Sequence, residues 1–242
     1  MFKNPQWASL IDADMARGMA SALSRARLGS YGLSAGTCVG DDACDDWVGP
    51  VARHGANIVL SEALYPTLHM IEVALRNRLH ETFSNQFVTS EWFEQAWLSQ
   101  GHTLMVERAK DDLMNRGRSP TVDRVVAELN FGFWCGMFHS RYEAAGQPWP
   151  KLLRAVLPRL PKSWATRDKV SSRVEAVRWL RNRVFHHEPI LHLQDIRSRH
   201  RAMTELLGWL SPEARAHVES ICRFNAVHDD RLCANEISGA PA

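Results

Sequence analysis

One stripe of apolar side chains most limits what this 242-residue chain can fold into. Ile58, Val59, Ala63, Leu64, Leu68, Ile71, Leu75 and Leu79 recur at intervals close to three and four, which puts them on one face of a long helix. Pro66 inside the stripe predicts a kink. Alternating apolar and polar runs rich in β-branched residues are missing, so the expected fold class is all-α. With 45% hydrophobic and 9% aromatic residues, the chain is too apolar to be disordered. Its length suits one large or two small domains.

Around that stripe the same periodicity predicts further helices. An opening helix is expected over residues 7–27, followed by a loop over 29–55 that is rich in glycine and holds Asp41, Asp42, Asp45 and Asp46. The aspartates lack the spacing of an EF-hand and read as a solvated loop. Shorter helices are expected over 91–99, 104–115 and 120–129, with Ser119 as cap and Pro120 as first helical residue. Gly132 and Gly136 interrupt the aromatic segment 131–142. A strong helix over 166–187 should stop before Pro189, which disfavours helical geometry at Glu188. Another is expected over 192–209, and Ser211-Pro212-Glu213 should start a last one. The expected organisation is an N-terminal helix and loop (1–55), a helical domain (56–224) and a frayed tail (225–242).

Composition narrows the setting. Five cysteines form no CxxC pair, against a zinc knuckle or a secreted disulfide framework. No basic-then-apolar leader opens the sequence, and the most apolar window, 125–138, is too short to span a bilayer. A cytoplasmic protein without membrane attachment is the expectation. Net charge is only +2, but residues 151–201 carry 13 Lys/Arg against 4 Asp/Glu, as a phosphate-rich partner such as RNA would favour.

Chemistry concentrates in Leu180-Arg181-Asn182-Arg183-Val184-Phe185-His186-His187-Glu188-Pro189-Ile190. On a helical wheel Arg181, Asn182 and His186 share one broad arc, whereas His187 lies on another side. Imidazole can take a proton from a ribose 2′-hydroxyl or return one to the departing 5′-oxygen. A guanidinium can hold the phosphate and its developing charge, and an asparagine amide can orient either partner. Spacing by itself says little, since about one Arg-x4-His is expected by chance and two occur, Arg181–His186 and Arg223–His228. The second pair has no polar neighbours of this kind. A parallel cluster, Glu72, Arg76 and His80 with Asn77 beside them, lies along the apolar stripe, and its polar groups need partners that the Arg181 helix could supply. His187-Glu188 and His192 do not make the HExxH zinc pair, because the interval is wrong and Pro189 breaks the helix. Neither a phosphate-binding GxxxxGK[ST] loop nor a GxSxG elbow is present. No metal ligand set and no cofactor site are expected.

Four blocks together resemble the Abi-like (abortive infection) family of the HEPN superfamily. They are Leu64-Tyr65-Pro66 through Ile71-Glu72-Val73-Ala74-Leu75-Arg76-Asn77-Arg78-Leu79-His80; Val126-Ala127-Glu128-Leu129-Asn130-Phe131-Gly132-Phe133-Trp134; Leu180-Arg181-Asn182-Arg183 with His186-His187-Glu188-Pro189-Ile190; and Gly208-Trp209-Leu210-Ser211-Pro212. The likeness covers about residues 56–222. It implies a helical bundle with additional helices, and a metal-independent endoribonuclease whose R-x4–6-H motif falls on Arg181 and His186, with Asn182 at the polar position. The interval also admits His187 as acid/base. In that superfamily two motif copies meet in a dimer, so a homodimer is implied, as are phage defence or toxin–antitoxin behaviour and an antitoxin partner. Glu188, Arg76, Asn77, Glu72 and His80 would then tune protonation or contact RNA. Some members bind RNA or protein without cleaving, and that is the alternative.

Overall fold

The structure, a computed structural model, describes residues 11–32, 47–144 and 147–229. Among them every regular element is helical, as the missing alternation predicts. In chain order the α-helices are α1 (Ala13–Leu23), α2 (Arg25–Gly29), α3 (Val48–Phe87), α4 (Gln100–Asn115), α5 (Val122–Glu128), α6 (Phe131–Gly136), α7 (Leu153–Val156), α8 (Arg167–Phe185), α9 (Ile196–Leu210) and α10 (Pro212–Ile221).

The boundaries show where local chemistry decided and where it did not. The expected opening helix is two helices. Asp12 caps α1 by accepting from Met15 N, and Ser24, at φ 65, interrupts the run and accepts from Arg27 N to start α2. The part of that expected helix before Ile11, and the four aspartates, lie outside the described residues. α3 begins at Val48, so the last part of the expected loop is helix, and α3 runs unbroken through Pro66. Over 91–99 there is only a single 3-10 turn, Trp92–Glu94. α4 starts earlier than expected because Ser99 caps it, and α5 starts after Thr121, two residues beyond the expected Ser119 cap. Ser211 caps α10 as expected, its hydroxyl accepting from Ala214 N at 3.1 Å. Residues 224–229 are helical, with Phe224 and His228 buried, so the start of the expected tail is ordered structure.

The chain divides into two compact units. One comprises residues 1–66, 182–198 and 221–242, the other 67–181 and 199–220, so α3 and α8 each contribute to both. In the first, Ala16, Leu28, Trp47 and Val51 form a small core on which Met19 and Leu23 pack. Asn57 is buried there with 4% of its surface exposed. In the second, the stripe residues Leu68, Ile71, Leu75 and Leu79 are buried, as is Phe83, around which Trp92, Trp97 and Trp149 pack. Gly136 permits close approach there, because a β-carbon on it would lie 2.5 Å from Nε2 of His102 on α4. By length and composition α3 is long and apolar enough to cross a membrane, a stretch that outruns the 125–138 window singled out by sequence. Glu62 and Glu72 divide it, so no uninterrupted apolar run marks it in the sequence.

Candidate functional site

α8 ends in a turn built from its own last residues. The Glu188 N–H donates to the Arg183 carbonyl at 2.8 Å and the His187 N–H to the Val184 carbonyl at 3.1 Å, the two bonds of a Schellman motif. Such a motif needs a left-handed residue just past the helix. Here that residue is His187, at φ 58, where glycine is usual. His186 still donates its N–H to the Asn182 carbonyl at 2.8 Å, so it keeps helical register with Asn182, while His187 departs from it. Both histidines are exposed.

Two side chains hold this turn in place. Arg183 donates to the Pro189 carbonyl at 2.9 Å and pairs with the Glu188 carboxylate at 3.3 Å. Glu188, expected to tune the histidines, is thus matched to an arginine. From α3, Asn57 Oδ1 accepts from Ile190 N at 2.7 Å and Leu191 N at 3.1 Å, and its amide nitrogen lies 3.5 Å from the Glu188 carbonyl. Sequence reasoning did not single out Asn57. A small amide adjoining the apolar stripe was the available signal.

The other predicted residues lie in the second unit, with Arg181 among them. Arg181 Nε donates to Glu72 Oε2 at 3.3 Å, with 24% and 27% of the two side chains exposed. The partner expected for Glu72 on the Arg181 helix is therefore present. Arg76 Nε donates to Asn77 Oδ1 at 3.3 Å, beside this pair in sequence. His80 is engaged elsewhere. Its Nδ1 accepts from Trp92 Nε1 at 2.9 Å, and burial lowers its pKa. Cys135 is buried, and burial raises its thiol pKa well above the ordinary value, which keeps it protonated and inert.

Much of the basic segment serves the protein's own packing. Arg167 pairs with Glu143 at 2.7 Å and donates to the Phe138 carbonyl. Arg173 lies over Trp164 at 4.3 Å and Trp209 at 5.2 Å while pairing with Glu205. Arg199 lies 4.5 Å over Trp179. A count of charges along a sequence cannot separate these from cations offered to a partner, and the excess over 151–201 overstates what faces solvent.

Within the first unit a groove of about 860 Å³ runs beside the terminal turn. His54, Ile58, Ser61 and Tyr65 line it from one face of α3, Phe185 from the end of α8, and His186 and His187 from the turn that follows. Arg27 contributes the cation, and its charge, after burial, also lowers the pKa of His54. Of these the sequence reading named only the two histidines as site residues. The other Arg-x4-His pair is occupied differently: Arg223 pairs with Glu62, and His228 is buried with its Nδ1 3.6 Å from Asp229. Among the described residues no group of three His, Cys, Asp or Glu side chains is placed to hold a metal ion.

No family model, no curated protein and no solved structure was found to match this chain.

Proposed function

We propose that the chain is a metal-independent endoribonuclease of the Abi-like, HEPN type. The observation that carries this reading is the placement of His186: exposed, in helical register on a turn anchored by Asn57 and Arg183, at the edge of a groove of nucleotide size. His186 is the acid/base, Arg181 the phosphate-binding group and Asn182 the orienting amide. The 2′-oxygen of one ribose, losing its proton to imidazole, attacks the adjacent phosphorus. The bond to the 5′-oxygen breaks, and that oxygen leaves with a proton from imidazolium. The ends are a 2′,3′-cyclic phosphate and a 5′-hydroxyl.

Each chain carries one such Arg–His pair, so a homodimer would supply the two imidazoles that proton removal and proton return each use. A cytoplasmic toxin restrained by an antitoxin, acting in phage defence, is the cellular role that fits. Expression of wild type should slow growth, and the purified protein should cut RNA in EDTA. His186→Ala should do neither, and equal toxicity of that variant would refute the assignment.

A second reading has its own support. Arg181 already pairs with Glu72, as in a structural helix network, and a non-catalytic RNA- or protein-binding module needs no more. That reading predicts strongly salt-dependent RNA retention without any cleavage.

A further inference from the structure

We propose that the groove beside His186 is a subsite for one unpaired nucleobase of single-stranded RNA, with Tyr65 and Phe185 as its stacking platform; this rests on the ribonuclease reading of the same turn. Tyr65 stands on α3 and Phe185 ends α8, and their ring centroids lie 6.1 Å apart at an interplanar angle of 36°. Both rings are half in solvent, at 49% and 39% exposure, and Ile58 in the same groove is 56% exposed. Large apolar groups gathered at the surface mark a place that something else covers.

Three observations choose the occupant. The volume, about 860 Å³, is that of a small-ligand cleft, in which a nucleoside fits. The walls hold Arg27, His54, His186, His187 and Glu62 among the apolar groups, and a guanidinium beside imidazoles suits the phosphates that flank a base. Glu62, in the groove wall, pairs with Arg223, and Glu188, next to the histidines in sequence, pairs with Arg183. With those neutralised, Arg27 makes the groove attractive to the phosphates on either side of a bound base. A planar π-face against exposed rings, next to a cation, is how single strands are held. Paired bases hide those faces in a duplex. Stacking tolerates any base, so the site selects unpaired RNA over duplex more than one base over another.

A 2′-O-methyl oligoribonucleotide carrying one 2-aminopurine tests this with the full chain, because it lacks the hydroxyl that cleavage requires and its fluorescence is quenched on stacking. Quenching is expected with wild type. Tyr65→Ala and Phe185→Ala should each weaken binding about tenfold or more, and Tyr65→Phe should bind as wild type does. Both rings are partly exposed, so these variants should retain the wild-type circular dichroism. Unchanged affinity in both alanine variants overturns the proposal, as does a duplex that binds as tightly as the single strand. A change of oligomeric state with no change in RNA affinity also overturns it and makes the face a protein interface. If wild type stacks the methylated strand but leaves an all-ribose strand intact, the subsite stands and the ribonuclease reading fails.

Discussion

His187 ends α8 in a conformation that an L-amino acid adopts at a cost of about 1–2 kcal/mol, and glycine adopts freely. Nothing in the residue order announces that cost, because Pro189 predicts only that the helix stops. The side chain at this position therefore costs local stability. His187→Gly should raise the unfolding free energy by about 0.5–1 kcal/mol in urea titrations, after the added freedom of glycine in the unfolded chain is counted. If His186 is the acid/base, the same variant still cuts RNA; loss of cleavage in His187→Gly would transfer that role to His187. Asn57 is the other residue whose effect is large for its size. Asn57→Leu leaves the Ile190 and Leu191 N–H groups without their acceptor and should cost about 2–4 kcal/mol. A loss below about 0.5 kcal/mol in Asn57→Leu would show that the two backbone bonds are not what Asn57 contributes.

Between elements, the clearest success of sequence reading is the meeting of α3 and α8 at Glu72 and Arg181. A partly buried carboxylate on an apolar face needs a cation, and the facing helix carried one. Its energetic weight is small, since both side chains keep about a quarter of their surface in water. Glu72→Gln should change stability by less than about 1 kcal/mol, and a larger loss would show that the pair organises the contact between those helices. Cap chemistry was legible where the cap is local, as at Ser211. It misled at Ser119, whose carbonyl accepts from Thr121 N and Arg124 while the helix waits until Val122. The expected start of α9 at residue 192 failed for a longer-range reason. Residues 190 and 191 are tied to Asn57, more than 130 positions earlier, and helix begins only at Ile196. Helical periodicity cannot report a bond of that kind.

For the whole molecule, the all-helical class was legible because burial by helices leaves a period in the sequence, whereas the groove was not. Its walls come from segments far apart in sequence, and each alone reads as ordinary surface or core. The basic segment misleads in the opposite direction, its arginines stacking on tryptophans and pairing with carboxylates inside the fold. Stability should also fall in acid, for a definite reason. Burial first, then the charges of Arg141 and His139, lower the His102 pKa to about 4, and burial lowers His80 and His54 as well. These rings are neutral in the folded chain and take up protons more readily when unfolded. The stabilisation is therefore complete above about pH 6.5 and lost as pH falls toward 4, with His102 accounting for about 3 kcal/mol. Chemical denaturation across that interval should show the slope, and His102→Gln should flatten it. A flat wild-type profile would contradict the assignment.

Whether one imidazole at the end of α8 moves the protons of phosphodiester cleavage is tested most directly by end-group analysis, with purified wild type and His186→Ala incubated on single-stranded RNA in EDTA. Wild type should leave 2′,3′-cyclic phosphate and 5′-hydroxyl ends, and the variant should leave the RNA intact. Intact RNA from both, or the same cut ends from both, would contradict that role for His186.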